Sequence, residues 1–468
     1  MAINNSSGDN LQLNEVIVAL VPWPEHGHLN PLFLLSRFIA SHNIPVHFLC
    51  LTARNHDLKK RLQGVRQNAT DENLHFCDLS VPKTEAESDK DLLLENLGKS
   101  ICEECHLLSK NTKRFVIIHD CLMITYIRDL HSIPNIKCYS FHSISSFVRY
   151  STFRQVLHIA DEDQDKLIQE VGDEFPTVES TFGPHLEEYI QEEREWKLNS
   201  GVVMNSFREL EGKYLDSLAI HAEDNTPVWC LGPFHMLLES SVDSCNRSVQ
   251  HVSLEFLDKQ DANSVIFVSF GTTTTLSQDQ VNELALGLEQ SNYKFIWVVR
   301  DADDERLDTD NNSEGKDGRV VLPEGFEKRV EGRGMVVRNW APQLEILGHT
   351  STGGFMSHCG WNSCMESISM GVPMASWPVH VDQPYNTVFI TNVLKIGISV
   401  WKWTRREEIV PAAAIEKAVK TLMGTPEGEE MRQRAVELSN KIKNSVSHGH
   451  GGLARKEMDS FISNITNN

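Results

Sequence analysis

Residues 340–383 read WAPQLEILGHTSTGGFMSHCGWNSCMESISMGVPMASWPVHVDQ, and this stretch decides the fold of the second half of the chain. Residues 354–357 form a short apolar run that predicts a buried strand, and Met365 with Ile368 predicts the buried face of a following helix. Residues 358–363 therefore form a strand-to-helix turn. A helix start presents unpaired N–H groups and the positive end of the helix dipole, so this turn can bind a diphosphate.

The same helix start has a second interpretation that needs no ligand. Ser363 followed three residues later by Glu366 matches a capping box. The other polar residues of the stretch favour a nucleotide sugar. Trp340 precedes an Ala-Pro pair that keeps the chain extended, so its flat ring can stack on a base. Asp382 and Gln383, which we expect in a loop before Pro384, offer a carboxylate and an amide that can accept from and donate to sugar hydroxyls.

The sequence before this stretch predicts a βαβ unit. Residues 264–269 (SVIFVS) form a continuous apolar strand, an amphipathic helix runs through residues 281–288, and residues 295–299 (FIWVV) form the next strand. Open α/β sheets bind ligands at the carboxyl ends of their strands. Thr272, just after the first strand, is therefore placed to donate to a phosphate.

The N-terminal half contains candidate catalytic residues. Residues 16–21 (VIVALV) predict a buried strand, followed by a loop with His26 and His28, and residues 115–118 (FVII) predict another strand that ends at Asp120. An imidazole has an ordinary pKa of about 6.5, which suits a general base. A carboxylate that holds its second nitrogen fixes the tautomer. Asp120 alone can also be a helix cap.

Together these motifs resemble the plant family 1 UDP-glycosyltransferases. The resemblance rests on W-A-P-Q, H-C-G-W-N-S, G-V-P-M and D-Q within residues 340–383, and on matches at residues 24–31, 205–211, 232–233, 257–260, 269–272 and 322–326. It implies an α/β GT-B fold, with two Rossmann-like domains facing each other across a cleft. The expected division is an acceptor-binding domain at 1–238, a linker at 239–252, a UDP-sugar-binding domain at 253–445 and, at 446–468, a C-terminal helix packing back on the first domain.

The resemblance also implies a role for individual residues. The implied donor ligands are Trp340, Ala341 and Gln343 at the base and ribose, Glu366 at the ribose hydroxyls, Thr272, His358, Asn362 and Ser363 at the diphosphate, and Trp361, Asp382 and Gln383 at the sugar. The family position selects His28 rather than His26 as the general base, with Asp120 as its partner. The implied reaction is a direct, inverting displacement that uses no metal and no cofactor, because the UDP-sugar is a co-substrate. Gln383 is typical of members that transfer glucose or xylose.

Three further segments, residues 117–120, 133–135 and 141–143, resemble the zeatin O-glucosyltransferase and O-xylosyltransferase subgroup, whose acceptor is a cytokinin side-chain hydroxyl. His26, His142 and Ser143 are the candidates for the acceptor pocket. Two alternatives stay open: a transferase for flavonoid, phenolic or terpenoid acceptors, and a UDP-sugar-binding protein without activity. The second would not need a base and its carboxylate, and both are present. A serine hydrolase would require a G-x-S-x-G motif, which the chain lacks.

Composition narrows the class of protein. The chain has 468 residues, of which 40% are hydrophobic and 23% charged, as expected for a large globular enzyme. Its net charge of −21 disfavours nucleic acid and anionic membranes as partners. A polar N-terminal stretch, no apolar run long enough to span a membrane, and ten scattered cysteines predict a cytoplasmic protein with reduced thiols. We expect a monomer that binds UDP-glucose or UDP-xylose and a small hydroxylated acceptor.

Overall fold

The chain divides into two compact units. A computed structural model describes residues 14–63, 72–81, 90–183, 185–196, 199–221, 226–239, 251–271, 274–300, 320–338, 340–447 and 451–467. The first unit comprises Met1–Phe141, Trp196–Val203 and Asp459–Asn468, and the second comprises His142–Glu195 and Met204–Met458. Most of the expected linker, 240–250, lies outside the described residues. The domain boundaries drawn from the sequence stay a prediction.

The first unit is built on a sheet of buried strands. Its strands are β1 (Asn14–Val21), β2 (Val46–Leu51), β3 (Leu74–Leu79), β4 (Thr112–Asp120), β5 (Ile136–His142) and β6 (Asn199–Met204), and its helices are α1 (His26–Ala40), α2 (Thr52–Gln63) and α3 (Lys90–Ser109). The strand order is β3-β2-β1-β4-β5-β6, and the pairs among the first five are parallel. The central strands β1 and β4 contain continuous buried apolar runs at residues 16–21 and 115–118, as expected for a parallel sheet that helices cover on both faces.

Neighbouring strands β1 and β4 place the candidate catalytic residues at one edge of this sheet. Val21, the last residue of β1, is in register with His119 of β4. Helix α1 begins at His26, just beyond β1, and Asp120 is the last residue of β4. His28 lies in the first turn of α1. Because parallel strands end at the same edge, the side chains of His28 and Asp120 are brought together there.

The second unit contains the other sheet and most of the helices. Its helices are α4 (Ser146–Leu157), α5 (Glu162–Val171), α6 (Val178–Thr181), α7 (His185–Glu195), α8 (Arg208–Ile220), α9 (Phe234–Glu239), α10 (Val252–Leu257), α11 (Gln278–Ser291), α12 (Phe326–Arg329), α13 (Gln343–Leu347), α14 (Trp361–Met370), α15 (Gln383–Val388), α16 (Ala412–Gly424) and α17 (Pro426–Val446). Its strands are β7 (Val228–Cys230), β8 (Val265–Ser269), β9 (Lys294–Val299), β10 (Gly334–Arg338), β11 (Thr352–Ser357), β12 (Met374–Ser376) and β13 (Gly397–Ser399). Strands β8 to β13 form a parallel sheet in the order β10-β9-β8-β11-β12-β13.

Two apolar cores cover the opposite faces of the second sheet. Val265 and Phe267 of β8 belong to one core, and Ile266 and Val268 belong to the other. Successive side chains of a strand point to opposite faces, so this alternation gives a helix–sheet–helix arrangement. The predicted βαβ unit is confirmed, with α11 between β8 and β9.

A last helix, α18 (Leu453–Thr466), agrees with the amphipathic pattern of the C-terminal residues. Its residues from Asp459 onward belong to the first unit. There Phe461 packs edge-on against Tyr139, with ring centroids 5.5 Å apart, and the Tyr139 hydroxyl donates to Asn464 over 2.5 Å. The C-terminal residues are therefore part of the first unit's packing.

Candidate active site

His28 and Asp120 are in direct contact at the carboxyl edge of the first unit's sheet. Nδ1 of His28 lies 2.8 Å from Oδ2 of Asp120. The Asp120 side chain is fully buried, whereas that of His28 is 22% exposed. A neutral imidazole that donates from Nδ1 to a carboxylate keeps its lone pair on Nε2. This pair therefore has the geometry of a general base and its orienting carboxylate.

The second oxygen of Asp120 has a structural task. Oδ1 accepts from the backbone N–H of Leu122 over 3.0 Å and caps the 3₁₀ helix Cys121–Tyr126. The helix-cap interpretation of Asp120 and the histidine-partner interpretation are thus both correct, one for each oxygen. Because both oxygens are held, the carboxylate has one orientation toward His28.

The acceptor-pocket candidates lie in two places. His26 is half-buried in the first turn of α1, in the first unit. His142 and Ser143 are buried in the second unit. Nε2 of His142 lies 3.0 Å from Oε1 of Glu193, and Arg149 donates to the other oxygen of Glu193 over 2.5 Å. Burial by itself would raise the pKa of Glu193, but Arg149 and His142 lower it to about 2. His142 therefore faces a carboxylate that is ionised at neutral pH.

The strand-to-helix turn of the second unit has the form expected of an anion site. Helix α14 begins at Trp361, and its N-cap Gly360 offers no side-chain bond. The capping-box alternative is therefore wrong. Ser363 lies inside the first turn, where its hydroxyl accepts from Nε2 of Gln343 over 3.0 Å. No side chain caps the helix from Gly360, so the positive end of α14 is available to a phosphate.

His358 occupies this turn as a buried, neutral imidazole. Its side chain is 7% exposed, and burial together with nearby His380 lowers its pKa to about 4. Among the described residues, its Nδ1 has no hydrogen-bond partner. A Cβ at Gly271 or Gly360 would lie 2.6 Å or 2.5 Å from the ring. Both positions must therefore be glycine for the ring to fit, and the unpaired nitrogen can serve a phosphate oxygen.

The base and ribose end of the segment combines an exposed ring with a half-buried carboxylate. Trp340 is 63% exposed and lies edge-on to His251, with centroids 5.7 Å apart. Nε2 of Gln343 donates to Glu366 over 2.8 Å. Burial raises the pKa of Glu366 to about 7, against the opposing effect of the Gln343 bond. Ala341 is half-buried beside Trp340, and Thr272 lies outside the described residues.

Trp361 and Asn362, in the first turn of α14, are held by a residue that was not among the predicted site residues. Trp361 donates from Nε1 to the carbonyl oxygen of Asn205 over 2.6 Å, and the Asn205 amide donates to Oδ1 of Asn362 over 3.1 Å. The N-S-F triplet that contains Asn205 was part of the family resemblance, but nothing local to it indicates these bonds. Asn205 therefore orients two residues of the strand-to-helix turn, Trp361 and Asn362.

Asp382 and Gln383 differ in one respect from the prediction. The sequence placed both in a loop, but Asp382 is the N-cap of α15 and Gln383 is its first residue. Oε1 of Gln383 accepts from the backbone N–H groups of Val379 and His380, over 2.8 and 3.1 Å. Nε2 of Gln383 lies 3.3 Å from Nδ1 of His380, and its second N–H is the group suited to a sugar hydroxyl. Asn386, one turn further along, donates to Asp382 over 2.8 Å and was also missed.

The comparisons with known proteins agree with this geometry. The family described as Glycosyltransferase, N-terminal domain, matches residues 14–90 and 94–236, and the family described as UDP-glucoronosyl and UDP-glucosyl transferase matches residues 233–440. The chain is 43% identical to zeatin O-glucosyltransferase of Phaseolus lunatus, with 100% of both chains covered. The chain belongs to the plant UDP-glycosyltransferase family. Its resemblance to the zeatin O-glucosyl- and O-xylosyltransferases is confirmed.

Two further similarities support this plant UDP-glycosyltransferase assignment. Zeatin O-xylosyltransferase of Phaseolus vulgaris is 42% identical, again with 100% of both chains covered. The solved structure of Phytolacca americana UGT2 with UDP-2-fluoro-glucose and pterostilbene has a TM-score of 0.73 and 27% identity, covering 97% of this chain and 100% of that one. The predicted α/β GT-B fold is thereby confirmed, and the protein is a UDP-sugar glycosyltransferase.

Two features are absent from the described residues of this UDP-glycosyltransferase. Across the described ranges, no helix is both long and apolar enough to cross a membrane. Within the same part of the chain, no cluster of three or more His, Cys, Asp or Glu side chains is arranged to hold a metal ion.

Proposed function

We propose that this glycosyltransferase moves glucose or xylose from a UDP-sugar to the side-chain hydroxyl of a zeatin-type cytokinin, with inversion at the anomeric carbon. The observation that carries the mechanism is the 2.8 Å contact between His28 and Asp120. The acceptor is supported by the two relatives named for zeatin, at 43% and 42% identity over the whole chain.

The proposed reaction is one displacement. Nε2 of His28 removes the proton of the acceptor hydroxyl, and the oxygen forms a bond to the anomeric carbon from the face opposite UDP. The bond between that carbon and the diphosphate oxygen breaks, and UDP leaves with the electron pair. The buried carboxylate of Asp120 stabilises the imidazolium that forms on His28.

The leaving diphosphate is stabilised without a basic side chain in this proposal. The N-terminus of α14 supplies oriented N–H groups, and neutral His358, Asn362 and Ser363 supply further hydrogen bonds. Such preorganised dipoles stabilise developing negative charge at little reorganisation cost. Local dipoles matter here because the net charge of −21 repels a donor that is itself an anion.

The sugar is assigned to two alternatives because the relatives support both. A relative that transfers glucose and one that transfers xylose, judged by their names, differ by a single percentage point of identity to this chain. Asp382 and Gln383 are proposed to hold the hydroxyls shared by glucose and xylose. Neither residue distinguishes the two sugars by itself, since they differ only in the presence of the C6 hydroxymethyl group.

The test is detection of glycosylated product by mass spectrometry. Purified protein is incubated with UDP-glucose or UDP-xylose and with zeatin, and N6-isopentenyladenine serves as the matched acceptor because it lacks only the side-chain hydroxyl. Parallel reactions use flavonoid, phenolic and terpenoid alcohols, and one set contains EDTA. We expect product with zeatin, none with N6-isopentenyladenine, no effect of EDTA, and none with His28→Ala.

Other outcomes correct the proposal in distinct ways. Product with N6-isopentenyladenine would move the reaction from the hydroxyl to a ring nitrogen. Transfer only to another class of alcohol would discard the cytokinin acceptor and keep the mechanism. UDP binding without any transfer would favour the non-catalytic alternative.

A cytoplasmic location, a monomeric state and independence from nucleic acid and cofactors belong to the same proposal. They come from composition and from the family resemblance. Light scattering coupled to size-exclusion chromatography tests the monomer, for which we expect the mass of one chain, 53.0 kDa. A mass near twice this value would show a dimer.

A further inference from the structure

Asn386 is a fully buried amide at the centre of the donor-binding residues. Its Nδ2 donates to Oδ2 of Asp382 over 2.8 Å and to the carbonyl oxygen of Cys359 over 3.0 Å. Its Oδ1 accepts from the hydroxyl of Ser145 over 3.2 Å. One side chain thus joins the sugar end of the segment, the diphosphate turn and the N-cap of α4.

The chemistry of these partners fixes the orientation of the amide. The carbonyl oxygen of Cys359 and the carboxylate of Asp382 can only accept, so both must face the amide nitrogen. Ser145 accepts from the backbone N–H of Val148 over 3.0 Å, and its own O–H then points to Oδ1 of Asn386. A flipped amide would place its oxygen against the two acceptor oxygens of Cys359 and Asp382 in a buried site, which is costly.

The Asn386 amide restrains the direction of the Asp382 carboxylate. It is half-buried at the N-cap of α15, where no side-chain capping bond holds it. Asn386 is four residues further along the chain, and its N–H also donates to the Asp382 carbonyl over 3.0 Å. Side chains with this spacing are neighbours on a helix face. The amide therefore restrains one carboxylate oxygen of Asp382, and this also sets the direction of the other oxygen.

The link to Cys359 adds a second restraint. Cys359 adopts a left-handed backbone conformation, with φ of 64°, between His358 and Gly360. Its carbonyl is held by Asn386, so the turn that carries His358 and the carboxylate of Asp382 are fixed relative to each other. Both ends of a bound sugar diphosphate would then meet groups of fixed spacing.

We propose that Asn386 is a positioning residue for sugar transfer, which aligns the Asp382 carboxylate with the diphosphate turn. This inference rests on the proposed function, in which Asp382 binds the sugar. Asn386 itself touches neither substrate in this proposal. It acts through Asp382 and the carbonyl of Cys359.

The test is Asn386→Asp, which keeps the shape of the side chain and replaces its N–H hydrogen-bond donor with a carboxylate oxygen. An ionised Asp at 386 faces the Asp382 carboxylate and the Cys359 carbonyl, so the three acceptors repel. Two adjacent carboxylates raise the pKa of one of them, and the protonated acid can again donate to Asp382. We expect kcat/KM for the UDP-sugar to fall about 10²-fold at pH 8, as for a misplaced reacting group. As the pH is lowered from 8 toward the raised pKa, the ratio of kcat/KM in the variant to kcat/KM in the wild type should rise about tenfold for each pH unit.

Asn386→Ala is the partner variant, because it removes the amide and cannot titrate. The ratio of its kcat/KM to that of the wild type should not change with pH. Thr387→Val, at the next buried position of α15, controls for packing and should keep wild-type kcat/KM. If the kcat/KM ratio of Asn386→Asp to wild type did not change with pH, the positioning role would be overturned.

A double-mutant cycle keeps the proposal testable if Asn386→Asp does not fold. If Asn386 acts through Asp382, adding Asn386→Ala to Asp382→Asn should raise the KM for the UDP-sugar little further. Additive losses would overturn the proposal. Asp382→Asn alone separates the two levels of inference: an unchanged KM would refute the sugar-binding role of Asp382, whereas a raised KM with additive losses would refute only Asn386.

Discussion

The two units place their candidate site residues at the same kind of position, the carboxyl edge of a parallel sheet, but hold them differently. In the first unit, the candidate chemistry is one pair, His28 and Asp120, joined by one hydrogen bond. In the second unit, the candidate donor residues are held by partners in a network: Gln343 with Ser363 and Glu366, Asn205 with Trp361 and Asn362, and Asn386 with Asp382.

This difference teaches where substitutions should act steeply and where they should act gradually. The function of a pair is lost when either member is lost. A network spreads the binding free energy over several contacts, so one deletion weakens binding without abolishing it. The first unit should therefore control the rate constant for transfer, and the second should control donor affinity.

His28→Ala gives the largest expected effect. Loss of the general base should lower kcat by about 10³-fold or more, within the range for a positioned acid or base. The Kd for UDP should remain within about twofold, because His28 lies in the other unit from the donor residues and affects binding little. Steady-state kinetics and isothermal titration calorimetry measure the two quantities.

His42→Ala is the matched control for this variant, since His42 is an exposed histidine immediately after the same helix. It should keep the wild-type kcat. Turnover by His28→Ala near the wild-type rate would remove His28 from its assigned role, and a large loss of UDP affinity would indicate that the first unit contributes to donor binding.

Asp120→Asn should have the next largest effect, about 10²- to 10³-fold in kcat. The amide oxygen can still cap the helix through Leu122, but the amide nitrogen would then donate to Nδ1 of His28. The proton of the neutral ring moves to Nε2, where it blocks the base. Because the cap survives, the thermal midpoint should change little.

Asp129→Asn is the control for this second variant. Asp129 is an exposed carboxylate in the neighbouring 3₁₀ helix Arg128–Ser132. Its loss should leave kcat unchanged. If Asp120→Asn instead lowered the thermal midpoint strongly and left kcat intact, Asp120 would be a helix cap only.

The sequence predicted the positions of these residues because the relevant signals are local. Apolar runs at 16–21 and 115–118 predicted strands, and strand ends in a parallel sheet meet at one edge, so the closeness of His28 and Asp120 followed. The strand, turn and helix between residues 352 and 370 followed in the same way. Their functional roles rest on the family resemblance and stay predictions.

The bonds that hold the donor residues could not be predicted from the sequence. Asn205 contacts Asn362 and Ser145 contacts Asn386 across long stretches of chain, and such pairs depend on how distant elements align. The capping box at Ser363 was a false local signal, because the helix starts two residues earlier, at Trp361. Periodicity indicates which face of an element is buried, but it does not indicate which polar groups meet there.

Trp340→Ala should have a smaller effect, which is limited to UDP binding by the second unit. Stacking of a base on an aromatic ring contributes about 1–3 kcal/mol, so the Kd for UDP should rise about 5-fold to 150-fold. The ring is 63% exposed, and its removal should barely change the thermal midpoint. Calorimetry on UDP checks the affinity.

Trp340→Phe is the control, because it keeps a flat ring at the same position. It should recover most of the lost affinity. Equal UDP affinity in wild type and Trp340→Ala would place the base elsewhere, and a large fall in the thermal midpoint would give Trp340 a structural role.

The smallest predicted effect is proton uptake by His358 when the donor binds. Burial and His380 lower the pKa of His358 to about 4, so the imidazole is neutral at pH 5.5 in the free protein. A diphosphate beside it favours the charged form and raises this pKa, so binding should draw in a fraction of a proton and strengthen as the pH falls toward 5.

Calorimetry with UDP-glucose at pH 5.5, in two buffers of different ionisation enthalpy, counts these protons. UDP-glucose is preferable to UDP because a terminal phosphate titrates near pH 6 and would add its own protons. Glu366, whose pKa burial raises to about 7, also titrates in this window. His358→Gln keeps a hydrogen-bonding side chain, removes the titration of His358 and leaves Glu366 in place. The difference between wild type and His358→Gln therefore isolates His358, and equal proton uptake by the two would mean that the diphosphate does not contact this ring.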